Sequence, residues 1–284
     1  MPKIPASPPR LVLNENETIT TKARALDSIL LKDGATLFAP NLEVSTGRVY
    51  CSKGTRLHAP KLRSVSEIVV GPGCKIDLPA LARIWAVDLR RDAMLHAPEL
   101  AQVDGPVELV ENSTFTAPQL RSVDSLKLWK GAGLIANDLR RVTKGIVLCE
   151  AVVAKLNALQ SAGHLDLQTG ATLIAAKLAE CGDLYIAPRV ALRATLEEVG
   201  TIYLEKDAAF ELTDLRRTAG DIGIGEGAAL STPALEVIGG DLTCGPNSRI
   251  SSTREPMVEG ETDLAPSAVW EDGHSNAAKP RVRI

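Results

Sequence analysis

Asp88 and Glu108 stand 20 residues apart, too far to meet inside one strand or one helix. If each lay at the same height on consecutive turns of a coil, their carboxyls would come within about 5 Å, as in a retaining glycosidase. There, one carboxyl protonates the leaving group while the other attacks. His58, Asp77 and His96 follow the same spacing and place an acid between two imidazoles, a set suited to acid–base or metal chemistry. The two histidines would be about 10 Å apart, however, and a zinc ion holds its ligands at about 2 Å. No shared metal is therefore expected. All of this chemistry requires a repeat that brings the residues into one column.

The repeat is present. LHAPKLRSV at 57–65 returns as LHAPELAQV at 95–103 and FTAPQLRSV at 115–123, with LFAPNLEV earlier at 37–44. Anchor leucines fall at Leu42, Leu62, Leu81, Leu100, Leu120, Leu139, Leu159, Leu178, Leu196, Leu215 and Leu235, with gaps of 18 to 20 residues. Between anchors runs an apolar-x-apolar triplet, from Ile29-Leu30-Leu31 and Val49-Tyr50-Cys51 to Leu242-Thr243-Cys244. This alternation predicts a short strand whose middle side chain faces outward.

Five residues after each triplet begins stand Gly34, Gly54, Gly73, Asp92, Asn112, Gly131, Ala151, Gly170, Arg189, Asp207, Gly227 and Asn247. Nearly all are Gly, Asn or Asp, which tolerate a left-handed backbone, so a sharp corner is predicted there. Proline two residues before the anchor in six copies, Pro40 to Pro118 and Pro233, argues against a helix at the other corner. The sequence thus predicts an all-β fold, a single-stranded parallel β-helix or β-solenoid of about 11–12 rungs of 18–20 residues. Its expected organisation is an N-terminal segment and cap over 1–25 with a strand at 11–13, a solenoid over 26–250, and a flexible tail over 251–284. The copies in 151–181 lack Ala-Pro and are expected to carry a helical turn. The tail's PSAVWEDG, around Trp270, reads as a short docking motif.

The rung L-x-A-P-x-L-x-x-V-x-x-x-V-x-V-x-x-G-A resembles bacterial leucine-rich-repeat-like β-solenoid proteins over about 26–250, and distantly the L domains of cell-surface receptors. It departs from the standard leucine-rich repeat, which has a longer L-x-x-L-x-L-x-x-N-x-L core. The resemblance implies a fold and leaves function to the outward positions.

Those positions name the remaining candidates. Tyr185 and Tyr203 on neighbouring rungs, and Trp129, are exposed aromatics suited to a protein or sugar contact. Arg63, Arg121 and Arg140 collect just after the anchor in a broken basic stripe suited to an acidic partner. Of the five cysteines, Cys51, Cys74, Cys181 and Cys244 read as buried small hydrophobes, and Cys149 as outward-facing. The glycine-rich GDIGIGEG at 220–227 is a rung and not a phosphate loop, because its glycines take outward strand positions.

Composition narrows the classes further. Aromatics at 3% and hydrophobic residues at 45% suit a thin repetitive core of small aliphatic side chains. A net charge of −3 provides no basic footprint for nucleic acid. No apolar run reaches the roughly 18 residues of a membrane span. The N-terminus lacks an apolar signal-peptide core, and the unpaired cysteine count suits a reducing compartment. The expectation is a non-enzymatic repeat protein without cofactor or metal, cytoplasmic or exported without a conventional signal peptide. It would offer an extended surface for binding or scaffolding, including as a secreted effector. Its partner is expected to be a protein, or else a glycan bound or cleaved at Asp88 and Glu108. Self-association through the solenoid ends is the third expectation.

Overall fold

The computed structural model describes residues 8–272, and the chain divides into two compact units, residues 1–143 and 144–284. Among the described residues all regular structure is strand, with no helix. Both units are parallel β-solenoids, and together they hold about 14 turns.

In the first unit the triplets stack in register. Leu11–Leu13 lies beside Ile29–Leu31, which pairs with the end of Val44–Cys51, and the series runs on through Ser64–Val70, Arg83–Leu89, Gln102–Leu109 and Ser122–Leu128. A second sheet is built from three-residue strands, Thr18–Thr20, Thr36–Phe38, Arg56–His58, Lys75–Asp77, Met94–His96, Thr114–Thr116 and Gly133–Ile135. In the second unit Ser161–Leu167 pairs with Glu180–Ile186. Beyond it each long strand breaks into two at a glycine-bearing bend, as in Arg217–Thr218 and Ile222–Ile224 or Val237–Ile238 and Leu242–Cys244. Val153–Lys155, Thr172–Ile174 and Ala191–Arg193 form one further sheet of this unit. Ala209–Glu211, Ala229–Ser231, Arg249–Ser252 and Val269–Asp272 form another.

The core is a set of ladders. Leu13, Leu31, Cys51, Val70, Leu89, Leu109 and Leu128 make one, each at most 1% exposed. The anchors Leu42, Leu62, Leu81, Leu100, Leu120 and Leu139 make another, fully buried. Each buried leucine contributes about 1.5–3 kcal/mol of transfer free energy, which offsets the cost of ordering its rung. Because every rung contributes similar side chains at the same height, few aromatics enter the core, Phe115 and Phe210 being the buried phenylalanines.

Two turns close each rung. In Ala-Pro-x-Leu, the leucine N–H donates to the alanine carbonyl three residues back, as from Leu62 to Ala59 at 3.1 Å and Leu100 to Ala97 at 3.2 Å. Proline sits at the second position of this β-turn, where its fixed φ is already correct. The other turn has the sequence position predicted to be left-handed. All twelve such residues have φ between 56° and 73°, and Asn16 adds a thirteenth at 59°. Donation from Ala35 to Lys32 at 3.0 Å and from Cys74 to Gly71 at 3.1 Å makes these type II turns. Where one rung has Asn or Asp here, the next often has Gly for a second reason. A Cβ on Gly34 would lie 2.3 Å from Oδ1 of Asn16, and one on Gly131 would lie 2.2 Å from Oδ1 of Asn112.

The structure corrects the expected boundaries. Leu11–Leu13 and Thr18–Thr20 pair in parallel with the following rung, so a complete turn occupies part of the segment expected to be a cap. Met257–Val258, Thr262–Leu264 and Val269–Asp272 continue the ladders through the stretch expected to be tail. Residues 273–284 of that stretch lie outside the described residues. Trp270, expected in a docking motif, pairs with Ile250 in an inward column of this last rung. The pattern fades here because inward positions near the end are more solvated, and the column of Leu242 accepts Thr262. Residues 151–181 hold strands and no helical turn: Leu159 donates to Leu156 at 3.0 Å, closing the same β-turn without proline.

Ala151 alone among the left-handed residues carries a bare Cβ, with nothing polar to compensate. Replacing it with glycine is expected to raise stability by about 0.5–1 kcal/mol, the left-handed penalty less the added chain entropy. Gly34→Ala is expected to lower stability, because its Cβ meets Asn16. Chemical denaturation midpoints measure both.

Candidate functional site

The first unit brings Asp88, Glu108 and Lys127 into one outward column, paired rung to rung. Alternation along each strand turns these side chains away from the core, while Val87, Leu89, Val107 and Leu109 fill it. Two positions further on, Arg90 and Trp129 occupy the adjoining outward column. Arg90 binds Asp88 through Nη2 at 2.6 Å. The Trp129 indole N–H donates to Oε1 of Glu108 at 3.0 Å, and Nζ of Lys127 lies 4.5 Å from the centre of the indole ring and 4.0 Å from the same carboxylate. Lower on the face Arg48 binds Glu67 at 2.8 Å. The charges of this face are thus paired among themselves.

Asp88 departs from an ordinary surface acid. Partial burial pushes its pKa up, Arg90 opposes this, and Glu108 and Glu67 add to it. Its Oδ1 is buried without a hydrogen-bond partner. The carboxyl pair therefore has the register of a glycosidase pair and one member biased towards its protonated form. It sits on a flat sheet face, and both carboxyls already hold neighbouring side chains.

The other candidates are spread out. His58, Asp77 and His96 form one exposed column on the second sheet of the first unit, His58 and His96 each opposite Asp77. The His58 ring lies 6.1 Å from that of Phe38. Among the described residues no group of three or more histidine, cysteine, aspartate or glutamate side chains converges to hold a metal ion. Arg63, Arg121 and Arg140 are exposed at the corner after the anchor; Arg140 donates its backbone N–H to the Arg121 carbonyl at 2.9 Å, so these two are rung neighbours. Ala82 and Ala101 separate them from Arg63, and the stripe is broken.

In the second unit Tyr185 and Tyr203 pair directly, 43% and 46% exposed, with ring centres 6.3 Å apart and tilted by 50°. Trp129 of the first unit is 37% exposed. Sequence reading missed Trp85, which is 53% exposed. Its ring lies against Gly105 of the next rung, whose absent Cβ would meet Cε2 at 2.8 Å. The alternation Ile84-Trp85-Ala86 carried the signal, masked by a register irregularity between Ile84 and Val87. A shallow depression of about 360 Å³ opens in the second unit where Ala209, Ala229, Ser231 and Ser251 leave room beside Arg249. Arg249 is paired with Glu271 at 3.3 Å.

The cysteines are all buried and unbridged. Cys149, expected to face outward, is buried as well, at 6% exposure. Burial pushes the thiols of Cys51 and Cys181 up to about 12 and that of Cys244 to about 11.

Searches against protein-family models, curated proteins and solved structures give no match for the chain.

Two outcomes follow from these environments. The folded protein is expected to leave its thiols unmodified by a disulfide reagent at neutral pH, with reaction appearing only on adding denaturant. Because the folded-state pKa of Asp88 is raised, its contribution to stability is present at low pH and is lost as pH rises through the folded-state pKa. The stability gained on Asp88→Asn should therefore be larger at neutral pH than in acid, as read from melting temperatures across that range.

Proposed function

We propose that the protein is a non-enzymatic repeat scaffold that binds another macromolecule, most simply a protein, across its outward sheet faces. The observation that carries this is the exposure of Trp129, Tyr185 and Tyr203 on flat, rigid sheets whose inward positions are fixed by the core. Aromatic side chains are good interface anchors because they bury large area at small entropic cost. The contacts of Asp88 with Arg90 and of Glu108 with Trp129 support recognition over cleavage, since neither carboxyl is held ready for a substrate. The rung pattern supports a place among leucine-rich-repeat-like solenoids. Five unbridged, buried thiols suit a reducing compartment such as the cytoplasm.

The test is capture of partners from the native cell with the full chain as bait. Trp129→Ala and the double variant Tyr185→Ala, Tyr203→Ala should keep the melting temperature and lose captured partners, with each hot-spot residue costing about 2 kcal/mol of affinity. Capture unchanged by both variants would overturn the reading. So would release of reducing ends from a polysaccharide that disappears in Asp88→Asn.

A further inference from the structure

The two units differ in how their outward charges are balanced. In the second unit, three outward columns run from residue 183 to residue 265 beside and through the tyrosine pair. The first holds Asp183, Thr201, Asp221, Asp241 and Glu261. The second holds Tyr185, Tyr203, Gly223, Thr243 and Asp263, in direct register. The third holds Ala187, Glu205, Gly225, Gly245 and Ala265. No lysine, arginine or histidine occupies any of these fifteen positions. The corresponding face of the first unit balances Arg48 with Glu67, Arg90 with Asp88 and Lys127 with Glu108.

We propose that this face binds a cationic polypeptide segment, rich in lysine or arginine. The inference rests on the reading of the protein as a binding scaffold and names the partner class for one of its faces. The aromatic pair makes the patch a contact surface. Tyr203 lies flat enough for a Cβ on Gly223 to meet Cδ2 at 3.0 Å, so one ring face is backed by the neighbouring rung while nearly half of the residue remains exposed. Beside it the floor is glycine, which lets an incoming chain approach the sheet.

Charge chooses the occupant. Asp221 and Asp241 each accept a backbone N–H from the next rung, at 2.8 and 2.7 Å, and Asp183 does so at 3.1 Å. These bonds use one oxygen and fix each carboxylate, leaving the other oxygen to face outward. The carboxylates follow the rungs at about 4.8 Å intervals, and no group of three potential metal ligands converges among the described residues. A single metal ion is therefore not the natural occupant, whereas a polymer with distributed cations is. Guanidinium or ammonium groups would gain from the carboxylates and from the exposed tyrosine faces together. A nucleic acid or acidic glycan would be repelled, and a neutral glycan would leave the charge unused.

The experiment uses the full chain and a fluorescein-labelled peptide of alternating arginine and serine, followed by fluorescence anisotropy. Saturable binding is expected, weakening markedly as salt is raised. Asp221→Asn combined with Asp241→Asn keeps the oxygen that accepts the backbone N–H, so the fold is preserved. It should weaken binding about tenfold, a loss of about 1.4 kcal/mol. Tyr185→Ser with Tyr203→Ser should weaken it about fivefold, whereas Lys75→Ala on the second sheet of the first unit should leave it unchanged. Absence of peptide binding overturns the inference, as does binding insensitive to these variants, or preference for a glutamate–serine peptide or for cellohexaose. Partner capture that depends on Trp129 with no peptide binding would leave the scaffold reading standing and remove this inference alone. Capture that depends on neither aromatic site would remove the scaffold reading itself.

Discussion

Thirteen successive rungs of this chain turn a corner at a residue with positive φ, and the rest of the structure depends on that constraint. The left-handed position fixes a type II turn at the same height in each rung, and the turn fixes which strand residues face in. A one-residue slip would send a whole triplet to the wrong face. The period of 18 to 20 residues is therefore held at one point and absorbed elsewhere, at the bends of the second unit and the register irregularities of the first. The corner also couples neighbouring rungs through side chains. The carboxamide of Asn16 or Asn112 takes the space that a Cβ would need one rung later, so Gly34 and Gly131 are glycine for steric reasons as well as conformational ones.

Much of this was legible in the sequence because the constraints act on single residues at fixed intervals. The left-handed corners could be named from Gly34 to Asn247, and the anchors from Leu42 to Leu235. The register of Asp88 with Glu108 followed from spacing alone. The rest was hidden for identifiable reasons. Near the end of the described residues the inward positions are more solvated, so Leu264 and Trp270 are partly exposed and the polar Thr262 breaks the pattern without ending the fold. Around 156–159 the missing proline suggested a helical turn, yet the Leu159 to Leu156 hydrogen bond needs only a backbone N–H. The Trp129 to Glu108 contact runs diagonally between columns, and its rotamer is not encoded in strand periodicity.

The outward columns are free of the constraints that fix the inward ones, and their differences are where selection for function can act. In the first unit that freedom has been used to neutralise charge locally, through Arg48, Arg90 and Lys127. Exposed pairs of this kind contribute little to stability, about 0–1 kcal/mol each. Their effect is to make the face electrostatically quiet, with Trp85 and Trp129 as protruding apolar features. In the second unit, carboxylates on successive rungs repel one another and gain only a backbone N–H in return. That arrangement lowers stability relative to a balanced face, and the turns themselves do not require it: Thr201 occupies the same column without a charge.

Aromatic placement supports the same separation between structure and surface. Apart from Phe115, Phe210 and the terminal Trp270, the described aromatics are not part of the core, which is filled mostly by aliphatic ladders. Trp85 and Tyr203 instead lie against glycines of the next rung, Gly105 and Gly223, in gaps left by a missing Cβ. Such a ring is supported on one side and open on the other. It has lost much of its rotamer freedom before any partner arrives, so less entropy remains to be lost on contact. A solenoid whose core takes few aromatics has placed most of them at the surface, and those backed by a glycine are held and exposed, which is the physical condition for an interface anchor.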